Sequence, residues 1–141
     1  MSKIHILSLE EVEHITFTLA REILSFNEPI PDFGTRYPNR LEACLESPRQ
    51  SYDGELYPTL IEKAAILFYL MIKDHPFKNG NKRIAMTTLI LFLYRNKKWI
   101  KVNSHEFYRF TMWIAESPAK AKEGTLHAIR DFLKQNMISE K

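Results

Sequence analysis

The sequence predicts an all-α protein: a single helical bundle over residues 1–141 with one small β-hairpin or extended flap. Three observations lead there. Apolar residues recur at helical spacing along most of the chain. Two segments, 57–73 and 81–95, are apolar on nearly every side, as the central helices of a bundle are. A turn-rich stretch around residues 47–55 is the one place where the pattern suggests strand. With 45% hydrophobic and 26% charged residues, the chain has enough apolar mass for a core, and its length suits one domain.

Ser8-Leu9-Glu10-Glu11 reads as a capping box, with Ser8 as N-cap and Glu11 reaching back to it. The helix it opens carries Val12, Ile15, Leu19 and Ile23 as its apolar stripe. It should stop before Asn27-Glu28-Pro29, because a residue preceding proline avoids helical geometry. A loop with Pro29, Pro31, Gly34 and Pro38 follows, then a short helix over 39–45 with Leu41 and Leu45 on one face. Asp53-Gly54 is a turn signal, so Ser51, Tyr52, Asp53, Gly54 and Glu55 form the candidate hairpin or flap. After the two apolar helices, 99–102 is a brief extended connection. Ser104 then caps a helix that buries Phe107, Phe110, Trp113 and Ile114. A last amphipathic helix over 119–135 carries Leu126, Ile129 and Leu133.

The single cysteine, Cys44, excludes an internal disulfide and a thiol-built zinc cluster, and its apolar setting marks it as a small buried hydrophobe. The N-terminal residues lack the apolar stretch of a signal peptide. The most apolar run, 84–94, is about half of the ~20 residues that span a bilayer. A cytoplasmic protein without membrane contact is expected. The formal net charge of +3 and pI near 9.0 favour acidic or phosphorylated ligands, yet no basic recognition helix is visible, so nucleic acid is not an expected partner. His5, His14, His105 and His127 lack metal-ligand spacing. Lys97, Lys98 and Lys101 read as a solvated cluster.

The chemistry concentrates in His75-Pro76-Phe77-Lys78-Asn79-Gly80, which joins the two central helices, and in Asn81-Lys82-Arg83, which opens the second. The first N–H groups of a helix have no internal partner and lie at the positive end of its dipole. Gly80 just before that end allows close approach of a phosphate. Lys82 and Arg83 oppose the dipole, a placement that makes sense when a polyphosphate neutralises both. Asn81 can cap the helix and also donate its amide to a phosphate. His75 is the side chain here suited to proton transfer near neutrality, so base-assisted attack on a phosphoryl group follows from the residue types.

These nine residues closely resemble the signature of the Fic/Doc family: His-Pro-Phe, any residue, an acid, Gly-Asn, Gly or Lys, then Arg. The resemblance implies a Fic-type helical domain that transfers part of a nucleotide to a hydroxyl of a target protein. It implies His75 as general base, Phe77 as the anchor of the loop, and Gly80, Asn81, Lys82 and Arg83 as binders of the nucleotide phosphates. The flap, Ser51 to Glu55 with Tyr57 beyond it, would align the target by strand-like pairing.

Lys82 stands where adenylyl-transferring members usually have glycine, and so is similar to the Doc, or death-on-curing, branch. That likeness implies transfer of the terminal phosphate of ATP or another nucleoside triphosphate, and a toxin acting on a translation elongation factor. Asn79 occupies the place of the acidic magnesium ligand and offers a carbonyl oxygen without charge, so Mg2+ would rest largely on the phosphates. The family's inhibitory Ser/Thr-x-x-x-Glu-Gly/Asn pattern is not found: Glu123-Gly124 comes nearest, but Ala119 stands in the Ser/Thr place. Restraint by an antitoxin protein in trans is therefore expected. Adenylyl transfer is the alternative reaction. A silent domain that binds nucleotide or protein is the alternative of another class.

Overall fold

A computed structural model of the chain describes residues 3–22 and 30–139. It is mostly helical, with a small two-stranded antiparallel sheet. The Ser8 capping box forms: the Ser8 hydroxyl accepts from the Glu11 N–H at 3.2 Å, and the Glu11 carboxylate accepts from the Ser8 N–H at 2.9 Å. The helix that follows is interrupted. Between α1 (Leu9–Glu11) and α2 (Phe17–Glu22), residues Val12–Thr16 adopt π-helical geometry. One extra residue per turn rotates everything downstream, so the buried face is Val12, Thr16, Phe17 and Ala20. This corrects the expected stripe of Val12, Ile15, Leu19 and Ile23: Ile15 is exposed and Leu19 half-buried, while Ile23 lies outside the described residues, as does the expected stop at Asn27-Glu28-Pro29. The π turn also leaves the Thr16 hydroxyl buried without a hydrogen-bond partner among the described residues.

Helix α3 (Pro38–Glu46) starts one residue earlier than expected, with Pro38 at its first position, where the missing N–H is harmless. It buries Leu41, Cys44 and Leu45. Burial, assisted by the charge of Asp74, pushes the Cys44 thiol up to about 12. Helix α4 (Leu60–Lys73) starts three residues later than expected, because Pro58 breaks the pattern and Thr59 makes a second capping box with Glu62. Helix α4 packs against α5 (Asn81–Arg95), α6 (Ser104–Glu116) and α7 (Lys122–Asn136), with α3 on its remaining flank. Phe68, Leu67, Met71 and Ile72 of α4 meet Ile84, Met86, Leu89 and Leu93 of α5 in one connected core. Both helices are buried on most sides, and the sequence of α5 accordingly shows little polarity between its faces.

Three further expectations are corrected. The N-cap of α6 is Asn103, whose side chain accepts from the N–H groups of His105 and Glu106, and Ser104 is the first helical residue. On α6 Phe107 is buried, whereas Trp113 is 48% exposed and stacks on the half-buried Phe110 at the surface. The sheet lies elsewhere than the flap: β1 (Lys98–Ile100) pairs with β2 (Met137–Ser139), Trp99 opposite Ile138. Residues 51–55 form only an isolated antiparallel bridge between Ser51 and Glu55, closed by a turn with Asp53 and Gly54 at positive φ. Among the described residues no helix is long and apolar enough to cross a membrane.

Candidate functional site

The candidate site is the loop between α4 and α5. Asp74 ends α4 in helical geometry, and His75 then turns left-handed at φ 48°. For a residue with a Cβ this conformation costs about 1–2 kcal/mol. Pro76 after it disfavours return to the helical region, so the chain leaves α4 sharply. The turn leaves His75 exposed while Pro76 and Phe77 are buried. Phe77 is 1% exposed and sits in an aromatic cluster, 5.1 Å from the Phe17 ring and 6.2 Å from Phe33.

Past Phe77 the loop surfaces at Lys78 and Asn79 and dives again at Gly80. Gly80, at φ 72° and ψ 8°, is the N-cap of α5 and the second left-handed residue of the loop. The expectation that Asn81 caps the helix is corrected. Its side chain is buried and turned back onto the loop: the Oδ1 accepts from the Phe77 N–H at 3.0 Å and the Nδ2 donates to the Phe77 carbonyl at 2.9 Å. With both ends of the amide engaged on Phe77, Asn81 shapes the loop, and its backbone N–H lies in the first turn of α5. Arg83 is also buried, and its guanidinium donates to the Ala20 carbonyl of α2. Lys82 is half-buried.

The loop rests on a segment that sequence reasoning passed over. The Tyr37 N–H donates to the Pro76 carbonyl at 2.8 Å, and the Arg40 guanidinium lies 3.4 Å from the His75 carbonyl oxygen. Phe33 packs against both Phe17 and Phe77, with the Arg36 guanidinium 4.3 Å above its ring centre. An aromatic residue inside a Pro- and Gly-rich loop was the available signal, since such loops rarely keep a large ring unless it packs.

The candidate flap is anchored at the other end of α4. Helix α3 begins beside the motif, through Tyr37 and Arg40, and its far end leads to Pro48, whose carbonyl accepts from the Lys63 ammonium at 3.0 Å. Lys63 is in the first turns of α4, and it also binds Glu55 at 3.0 Å and the Tyr57 carbonyl at 2.6 Å. Ser51, Tyr52, Asp53, Gly54 and Glu55 therefore lie at the N-terminal end of α4, whereas His75 follows its C-terminal end. The 14 residues of α4 rise about 20 Å between them. Tyr52 is 84% exposed, and Tyr57 packs against the core, where burial and then Glu123 push its phenol up from its ordinary value. A groove of about 750 Å³ at this far end is lined by Tyr57, Leu60, Leu126 and Arg130, remote from the motif.

Asn79 is exposed on the crest of the loop. Among the described residues no three His, Cys, Asp or Glu side chains converge as a metal site.

No curated protein and no solved structure matches the chain. The model of the Fic/DOC family matches residues 6–93, a span that includes α1 to α4, the whole loop and most of α5. That span covers more than half of the sequence and contains the full nine-residue motif, so the chain belongs to the Fic/DOC family, whose members generally transfer nucleotide-derived groups to proteins.

Proposed function

We propose that this chain transfers the terminal phosphoryl group of a nucleoside triphosphate, such as ATP, to a hydroxyl of a target protein. The observation that carries the reading is the juxtaposition within one loop. An exposed histidine, held left-handed at the end of α4, stands six residues before the first residue of α5, a helix entered through left-handed Gly80 and carrying Lys82 and Arg83 in its first turn. In this reading the His75 imidazole accepts the proton of the target hydroxyl. The hydroxyl oxygen forms a bond to the γ-phosphorus, the bond from that phosphorus to the β,γ-bridging oxygen breaks, and the diphosphate leaves with the electron pair. The N–H groups at the start of α5, with Lys82, face the phosphate chain. Arg83 would contribute its charge from beneath, since its guanidinium already holds α2.

Mg2+ bound to the phosphates supplies charge neutralisation, with Asn79 able to offer one neutral oxygen. In this reading a target segment meets residues 30–37, which pack on the motif, before it reaches Ser51–Glu55. Lys82 in the penultimate motif position favours phosphoryl over adenylyl transfer, and it is the same likeness to the Doc branch that suggests a toxin acting on a translation elongation factor and restrained by an antitoxin.

The test uses the purified chain and its His75→Ala variant in a cell lysate with ATP labelled at either the γ- or the α-phosphate. Protein-bound γ-label that disappears in the variant supports phosphoryl transfer. Loss of α-label instead moves the reading to adenylyl transfer. Identical labelling by the two proteins, under conditions where ATP binds, leaves a silent binding domain as the better answer.

A further inference from the structure

We propose that Arg40, outside the nine-residue motif, is a positioning residue that holds His75 in its working conformation; this rests on the reading of His75 as the general base. His75 occupies a backbone region that residues with a Cβ avoid, at φ 48°, and it is exposed, so little packing of its own side chain holds it there. What grips it is the start of α3. Two consecutive carbonyls of the motif are bound from one turn of chain: that of Pro76 by the Tyr37 N–H at 2.8 Å and that of His75 by the Arg40 guanidinium at 3.4 Å. The second contact is long for a hydrogen bond, but a charged donor strengthens it. The guanidinium is also constrained from its other side, 4.5 Å above the ring centre of Tyr37, the same residue that binds Pro76.

Arg40 and Tyr37 thus form a unit braced against itself and closed on the backbone at the turn. Pro76 makes the extended region the natural alternative for His75. A switch between left-handed and extended backbone at this residue swings the imidazole through a large arc. Holding the His75 carbonyl in place opposes that switch, so Arg40 sets the fraction of time in which the base faces the reacting hydroxyl. Arg40 need not touch either substrate to do this.

The experiment compares Arg40→Met, which keeps an apolar stem, with Arg40→Lys, which keeps a cationic donor. His75→Ala is carried alongside, as is hydrogen exchange at the Tyr37 and Phe77 amides. Arg40→Met is expected to lower kcat about tenfold or more while KM for ATP stays within about twofold, since misplacing a catalytic group taxes the chemical step and not ground-state binding. Arg40→Lys is expected to recover most of that loss. Tyr37 and Phe77 should exchange several-fold faster in Arg40→Met, with the amides of central α4 unchanged. Wild-type kcat in Arg40→Met overturns the proposal, and so does an equal loss in Arg40→Lys that follows a lowered Tm. A His75→Ala variant with the wild-type rate brings down the reading of His75 instead. In that case, or if the chain transfers nothing, exchange at Tyr37 and Phe77 decides whether Arg40 holds the turn: unaltered rates overturn it.

Discussion

The two ends of α4 solve the same problem in opposite ways. Each has polar groups close to the core and a turn with left-handed residues beside it. At the N-terminal end everything closes internally. Thr59 and Glu62 exchange hydrogen bonds, and the buried Lys63 ammonium donates to Pro48, Glu55 and Tyr57, stapling the 48–57 loop onto the helix. At the C-terminal end the backbone is strained at His75, the imidazole is exposed, and the first turn of α5 carries two cations against its own dipole. Left-handed backbone therefore occurs at both ends, at Asp53 as at His75, and what separates them is that Lys63 ties down the N-terminal loop while the His75 side chain stays exposed. Polar density alone does not mark a site, because Lys63 sits in a denser network of partners than His75 does.

Replacing Lys63 is the strongest test of this contrast. Lys63→Met removes three charge-assisted hydrogen bonds and leaves the Pro48 and Tyr57 carbonyls short of a donor. We expect a loss of about 1–3 kcal/mol in denaturant unfolding. Transfer activity per folded molecule should stay unchanged, because the lesion is about 20 Å from the motif. A large fall in kcat without a fall in stability would erase the distinction between the ends.

At the other end the sign should reverse. His75→Gly relieves the left-handed strain and is expected to raise stability by about 0.5–1 kcal/mol, part of the gain being lost to the greater freedom of glycine in the unfolded chain. The same variant should transfer nothing. A His75→Gly protein that is less stable than the parent would mean that the imidazole has a packing role and that the strain is not functional.

The smallest effect sharpens the comparison at the other closed cap. Burial alone would raise the Glu11 carboxyl, but the Ser8 N–H, His5 and Arg95 together outweigh it and hold the group down at about 2, against an ordinary 4.5. A depressed carboxyl stabilises the fold above its unfolded value, and that contribution fades as pH falls from about 4.5 towards 2. Glu11→Gln should flatten the fall of Tm across that window. An unchanged acid slope would show that other carboxylates govern acid unfolding.

Most of the architecture was legible in the chain because its determinants are local. The Ser8 capping box, the apolar saturation of α4 and α5, the burial of Cys44 and the density of the motif each depend on residues a few positions apart. The misreadings share a different cause. Ile15 and Leu19 were assigned inward on a 3.6-residue period that the π turn at Val12–Thr16 breaks. The pairing of Lys98–Ile100 with Met137–Ser139 joins segments whose partners are forty residues away.

The same division runs through the candidate site. Sequence by itself determined the family motif, the glycine before a helix, and the presence of a histidine with cations seven and eight residues on, because residue type and short spacing carry that information. Only the tertiary structure decided what each group does with its bonds. Asn81 turns inward to clamp Phe77, Arg83 holds α2 at Ala20, Arg40 grips His75, and the Ser51–Glu55 turn goes to the far end of α4. The reason is that a polar side chain bonds to whichever partner packing brings within about 3 Å, and packing is set by contacts between residues distant in the chain.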